Sequence, residues 1–270
     1  MKRVGIFVIL IGCFVSAGWA QQTAGKDAPK HSKSVYYDTF NEGWLDPTKW
    51  LATDPNCWFT LECVREIQNG RLRLALRSFG ATDSDWGSQT GHPGLSFVDP
   101  NGVNSITADV TVHSFSGVGC SSNHTEMTHA QVQIGGYFFN TGSGDHADDV
   151  LALLMIWIDT SDPKTMSVYN VNVSQGDMEF VDSYPIGTPL TVTFAWDKAK
   201  HQFVAAVKVK GEPGSGEVLA VPYAVSDTTP PAYPWKALEA AVGSLNCTSA
   251  KTFAQVEAFY DNVAINQPAP

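Results

Sequence analysis

The sequence predicts an all-β protein, a two-sheet antiparallel sandwich of the jelly-roll type. Three observations lead there. Turn signals recur about every ten residues, helical periodicity is nearly absent, and two similar aromatic–aspartate segments bracket the chain. The first bracket is Val35-Tyr36-Tyr37-Asp38-Thr39-Phe40, followed by Asp46-Pro47-Thr48-Lys49-Trp50. The second is Phe259-Tyr260-Asp261-Asn262-Val263-Ala264-Ile265. A sandwich that pairs its first and last strands accounts for the chemistry shared by the two ends.

Residues 1–20 read as a secretory leader: Lys2 and Arg3, an apolar run from Val4 to Val15, then Ser16-Ala17-Gly18-Trp19-Ala20 before cleavage. Leu10-Ile11-Gly12-Cys13 also fits a bacterial lipobox, which would instead anchor the chain through a lipid on Cys13. The apolar run is too short for a comfortable membrane span, which needs about 20 residues. Residues 21–34 lack apolar periodicity and read as a flexible leader. Residues 35–266 then form one domain, with no linker or repeat to divide them. The expected location is outside the cell or in the periplasm.

Within that domain, Asn69-Gly70 is a turn signal. Arg71 to Arg77 alternates strictly, with Leu72, Leu74 and Leu76 inward. Strands follow at Ile106–Phe115 and at Ala130–Phe139, where Gly135-Gly136 predicts a bulge or tight bend. Val150–Ile158 is apolar on both faces, as a buried central strand is. Met166–Val173 and Met178–Tyr184 flank one hairpin turn, and Leu190–Trp196 and Gln202–Val209 flank another. Later strands run at Val218–Val221, around Ala240–Leu245, and at Phe253–Ile265. Only Trp235–Ala241 has helical character.

The chain is acidic, with 27 Asp and Glu against 17 Lys and Arg and a net charge of −10. Loss of Lys2 and Arg3 would make it more so. Such a chain repels nucleic acid and anionic membranes. Neutral polysaccharide, a divalent cation or a basic partner remain compatible with it. Beyond Cys13 stand Cys57, Cys63, Cys120 and Cys247. An even number in an exported chain predicts disulfides, and proximity favours Cys57–Cys63, leaving Cys120–Cys247. On the chain-entropy view the short loop contributes about 2 kcal/mol and the long one about 5 kcal/mol. No CxxC pair supports zinc.

Asp38-Thr39-Phe40, Leu45-Asp46-Pro47-Thr48-Lys49-Trp50 and Gln68-Asn69-Gly70-Arg71-Leu72-Arg73-Leu74 resemble the opening of concanavalin A-like lectin/glucanase domains. Phe194-Ala195-Trp196-Asp197 with His201-Gln202-Phe203 resembles a strand-turn-strand of the same superfamily, and Tyr260-Asp261-Asn262-Val263 its closing strand. The resemblance spans most of the chain and implies the sandwich fold. It also implies a structural calcium, with Asp261 as the carboxylate and residues near Asp38 and Gly70 lending carbonyl oxygens. The competing reading has Asp38 and Asp261 serving only partners where the two ends meet.

Catalytic signatures of the superfamily are missing. Its glucanases carry Glu-x-Asp-x-x-Glu on one strand, and no such spacing occurs here. Glu179 and Asp182 lie three apart, on opposite sides of a regular strand, and Asp145-His146-Ala147-Asp148-Asp149 sits in a Gly-rich loop. Gln131-Val132-Gln133-Ile134-Gly135-Gly136-Tyr137 resembles alginate lyase strands, but Gly135 replaces the expected His. His124-Thr125-Glu126-Met127-Thr128-His129 misses the spacing of a zinc-protease helix. His113, His124, His129 and His146 read as solvated loop residues. Trp50, Trp157 and Trp196 are expected in the core.

What remains is recognition. Sugars stack on flat rings while amides and carboxylates take their hydroxyls. The candidate platforms are Trp58, Trp86, Tyr233 and Trp235, with Asp83, Asp85 and Gln89 as hydroxyl partners. The expected function is non-catalytic carbohydrate binding. A polysaccharide hydrolase or lyase with an unorthodox site, and an adhesion protein that binds another protein, are the alternatives.

Overall fold

The computed structural model describes residues 36–53, 62–121, 127–214 and 216–270. The leader, the lipobox, Val35, Cys57, Trp58 and His124 lie outside them. After β1 (Trp50–Thr53) come β2 (Glu62–Gln68) and β3 (Arg71–Phe79), joined as a hairpin. Its turn residues Asn69 and Gly70 both have positive φ (52° and 69°), the geometry an Asn-Gly hairpin turn adopts. Leu72, Leu74 and Leu76 are buried as their alternation requires, each contributing about 2 kcal/mol of hydrophobic stabilisation.

Next are β4 (Ser88–Gly91), β5 (Gly94–Phe97), β6 (Ser105–Val118), β7 (His129–Asn140) and β8 (Asp149–Asp159). They are followed by β9 (Thr165–Asn172), β10 (Asp177–Pro185), β11 (Leu190–Asp197) and β12 (Gln202–Val209). The last three are β13 (Glu217–Pro222), β14 (Lys236–Leu245) and β15 (Phe253–Ile265). An eight-stranded antiparallel sheet runs β1-β5-β14-β7-β8-β9-β10, with β4 also pairing β14. A seven-stranded antiparallel sheet runs β13-β12-β11-β6-β15-β3-β2. The chain passes repeatedly from one sheet to the other, at β5 to β6 to β7, β10 to β11, and β13 to β14 to β15. This is the jelly-roll sandwich that the sequence predicts. Tyr36–Pro270 makes one compact unit, and among the described residues no helix is long and apolar enough to cross a membrane.

The two brackets meet. Val263 N donates to Asp38 O at 2.7 Å, and Tyr37 N and Asp38 N both donate to Val263 O. The first bracket contributes only this single bridge and no continuous strand. Asp38 turns its carboxylate inward instead: Oδ2 accepts from Trp50 Nε1 at 2.7 Å and Oδ1 from Phe40 N at 2.8 Å. Trp50 is thereby fixed against Phe97 (4.7 Å between ring centroids) and Phe40 (5.8 Å).

Three expectations are corrected. Residues Lys236–Leu245 form a strand, although Ala, Leu and Glu favour helix; every residue of it is buried between β5 and β7, and packing overrides propensity. Gly135 and Gly136 keep the β7–β8 register; the shift falls between Tyr137 and Phe139. The glycines are needed for close approach, because a Cβ on Gly135 would lie 2.4 Å from Ala152 O and one on Gly136 2.1 Å from Trp235 O. Trp157 is no core residue: it stands on the outer side of the eight-stranded sheet.

Of the three Asn-x-Ser/Thr triplets, Asn123 lies outside the described residues. Asn172 is buried within β9, and the Asn246 side chain is tied to Ala81 N and Trp86 O. Neither of the latter two is available to carry a glycan.

Candidate functional site

Alternation along β14 sends Leu238, Ala240 and Val242 into the core and Ala237, Glu239 and Ala241 to the outer side of the eight-stranded sheet. Strand register then fixes what lies beside Glu239. Across the sheet, on one face, come Gly94, Glu239, Gln133, Met155, Tyr169 and Phe180. One step along is the row Ala241, Gln131, Trp157 and Ser167. Leu153, Met155 and Val171 form an apolar cluster on this face, separate from the core, with Trp157, Tyr169 and Met178 packed against it.

Glu239 is only 4% exposed. Its Oε2 accepts from Gln133 Nε2 at 2.6 Å. Burial raises its carboxyl to about 7, and the Gln133 amide offsets only part of that. The backbone at this point is clamped from the opposite sheet. Tyr260, in the closing bracket, places its hydroxyl 2.6 Å from Glu239 O and 3.1 Å from Gln133 O. The segment singled out at the end of the sequence therefore fixes the centre of the outer face.

At one end of this face His129 stacks on Trp157, with centroids 4.1 Å apart and planes 17° from parallel. His129 lies on a strand, contrary to the loop expected. Its Nδ1 donates to Met127 O at 2.7 Å, so Nε2 accepts from Gln131 at 3.3 Å and the ring is a neutral tautomer. Burial lowers the His129 value, and burial together with neighbouring His129 lowers His92 to about 4. Both imidazoles stay uncharged near neutrality. Trp157 Nε1 donates to Asp159 Oδ2 at 2.9 Å, and Asp159 also accepts from Ser161.

At the other end Tyr137 gathers an aromatic cluster: His146 at 5.0 Å, Trp235 at 6.0 Å and Tyr233 at 6.1 Å between centroids. A buried carboxylate organises it. Asp149 Oδ1 accepts from Asn140 Nδ2 (2.8 Å) and Ala232 N (2.7 Å); Oδ2 accepts from His146 Nδ1 (2.9 Å) and Tyr233 N (2.8 Å). Its side chain is 0% exposed. Burial pushes its carboxyl up, but the four hydrogen bonds outweigh that and hold it below the ordinary value. Within the run Asp145-His146-Ala147-Asp148-Asp149, Asp149 is the buried centre, with His146 bonded to it and Asp145 capping Ala147 N.

The predicted binding residues divide. Tyr233 (55% exposed) and Trp235 join the aromatic end just described. Trp86 is 75% exposed on the loop before β4, its carbonyl accepting from Asn246 Nδ2 at 2.9 Å just beyond the end of β14. Asp85 Oδ1 accepts from Thr248 N (2.7 Å) and Oγ1 (2.9 Å), so it anchors the loop. Gln89 Nε2 reaches Asn246 Oδ1 at 3.4 Å. Asp83 lies on the same loop, and Trp58 lies outside the described residues. The Cys120–Cys247 disulfide, with Cα atoms 5.7 Å apart, supports this loop from beneath. Cys63 is disulfide-bonded too, while its predicted partner Cys57 is not among the described residues.

Sequence reasoning placed Trp157 in the core, met Gln133 and Tyr137 only within the lyase-like Gln131–Tyr137 segment, and did not single out Glu239 or Asp149. Strand pairing brings Glu239, Gln133, Trp157 and Tyr137 to one face. The Asp145–Asp149 run was the one visible signal for Asp149.

The proposed calcium ligands are only partly assembled. The Asp38 carboxylate is engaged by Trp50 and Phe40, with Lys49 Nζ 3.6 Å away, and offers no vacant oxygen. Asp261 comes next to the Gly70–Arg71 segment through the β15–β3 ladder and faces Asp109 across β6. Burial raises Asp261, and Asn262 N, which donates to Oδ1 at 2.7 Å, offsets part of that. Lys210 Nζ lies 2.8 Å from Asp109 Oδ2 and already supplies positive charge there. Among the described residues one group of three potential metal ligands comes together, Asp85 with Cys120 and Cys247, and the disulfide withdraws both sulfurs.

The sequence matches no protein-family model and no curated protein. Solved structures with a similar course include lectin II from Ulex europaeus, at 9% identity and a TM-score of 0.33 over 80% of this chain and 99% of that one. The Ca2+/Man3GlcNAc-bound exoplasmic/lumenal domain of VIP36 gives 9% identity and 0.37 over 88% and 92%. A xylan β-1,4-xylosidase from Bacillus halodurans gives 14% and 0.40 over 87% of this chain but 41% of that one. These scores concern the course of the chain and bear on neither ligand nor chemistry.

Proposed function

We propose that this chain is a secreted, non-catalytic carbohydrate-binding protein that lays an extended glycan along β14. The observation that carries the reading is the placement of two exposed aromatics, Tyr233 and Trp86, with half-buried Trp235 beside the first. Tyr233 and Trp235 stand where β14 begins, and Trp86 is held where it ends. Ten residues of strand separate these platforms by about 33 Å, a span for a polymer and not for a single sugar. Between them lie Glu239, Gln133 and Gln131, the amide and carboxyl chemistry that sugar hydroxyls require. Export rests on the leader-like residues 1–20 and agrees with the Cys120–Cys247 bridge.

Glycoside hydrolysis uses two carboxyl groups about 5–10 Å apart that are free to act on the bond. On the outer face Asp149 and Asp159 both spend their oxygens on fixed donors, which leaves Glu239 without a working partner. This supports binding over cleavage.

A glycan array followed by titration tests the reading. Trp86→Ala and Tyr233→Ala should each weaken polysaccharide binding by about tenfold or more, as loss of an aromatic anchor does, with folding intact. A folded wild-type protein that retains no polysaccharide would end the proposal. Calcium belongs to it at Asp261 alone. Calcium should raise the thermal midpoint relative to chelator, and equal midpoints would remove the ion from the reading.

A further inference from the structure

From the surroundings of Glu239 we infer that the glycan carries protonated amino groups, as a de-N-acetylated amino-sugar polymer does, and that one ammonium pairs with Glu239. This rests on the binding reading above. Glu239 occupies the middle of the face, is almost wholly withdrawn from water, and has one amide, Gln133, on Oε2. Gln133 is the one described side chain whose hydrogen bond to the carboxyl is seen, and it is an uncharged donor. A buried carboxyl left in this state is costly unless a cation or further donor completes it.

One cation comes near from the other sheet, Arg65, whose Nη1 donates to Gly94 O at 3.3 Å. The positions beside Glu239 on β14 and β5 are Ala237, Ala241 and Gly94, which carry at most a methyl group. The outward positions of β7, β8 and β9 hold no lysine or arginine, and His129 and His92 are held neutral. An anionic polymer would find no lysine or arginine on the outward positions of these strands. A neutral polymer would offer the carboxyl hydroxyl donors but no charge. An ammonium satisfies it with a charge-assisted hydrogen bond, and the rings at both ends of β14 also attract cations. With Glu239 raised to about 7, the carboxyl is poised to ionise when a positive group arrives.

The test compares β-linked glucosamine oligomers with their fully N-acetylated counterparts at pH 6.5, on the full chain. The wild type should bind the amine form about tenfold more tightly, the scale of one hydrogen bond to a charged group. Glu239→Gln keeps the Gln133 contact and should bring the two affinities within about twofold. Trp86→Ala should weaken both forms and leave a preference for the amine form that Glu239→Gln removes. Equal affinity of wild type for both forms, or a preference that survives Glu239→Gln, would overturn the inference and leave glycan binding standing. Retention of neither oligomer, nor of any other polysaccharide, would overturn both.

Discussion

A chain carrying Cys120→Ser and Cys247→Ser is expected to melt about 15 °C below the parent. The two cysteines are 127 residues apart in sequence, and a loop of that length gives about 5 kcal/mol on the chain-entropy model. In a domain of this size each kcal/mol moves the midpoint by about 2–4 °C. The bridge also joins the two sheets, since Cys120 follows β6 and Cys247 follows β14. Its loss should be felt first at the loop bearing Trp86, where Cys247 N donates to Ala81 O and Asp85 holds Thr248. Differential scanning calorimetry with and without reductant measures the shift. A midpoint within about 3 °C of the parent would mean the bridge restrains little that other contacts do not.

The second large effect is expected at Asp149. Asp149→Ala leaves four donors facing a buried gap and should cost about 3–5 kcal/mol, as removal of one side of a buried charged network does. Because the carboxyl is held below its ordinary value, its contribution is complete above the unfolded carboxylate range and fades as pH falls through the folded value. Asp149→Asn should therefore lose stability at pH 7 yet converge with wild type in strong acid, as read from urea midpoints across pH. Parallel curves at every pH would show that Asp149 stays protonated and acts through shape alone. Loss of near-ultraviolet signal from Tyr137, Tyr233 and Trp235 should accompany the change, since Asp149 fixes the backbone that presents Tyr233.

Much of the fold was legible because it is written in period-two patterns. Arg71 to Arg77 states its inward leucines, and Asn69-Gly70 states its turn. The long disulfide followed from cysteine spacing. The candidate face was far less legible. β14 reads Lys-Ala-Leu-Glu-Ala-Ala-Val, which by propensity is helix, and only its place between β5 and β7 makes it strand. With a strand expected only around Ala240–Leu245 and helical character before it, Glu239 is one acid among many. Trp157 misled for a related reason: β8 is apolar on both sides, so alternation cannot say which side meets the core and which meets the separate outer cluster. Asp149 was hidden among acids of an ordinary surface loop, because the segment that buries it, Ala232–Tyr233, arrives from 83 residues later.

The bridge between Asp38 and Val263 has a topological consequence. Both ends of the folded unit leave the sandwich at the same place, so the domain is close to a closed ring. A short peptide could join them, with new ends opened at the exposed Gly142–Gly144 loop, where both glycines face empty space. For the same reason the unit can be carried as an insert in another chain without its two attachment points pulling the sheets apart.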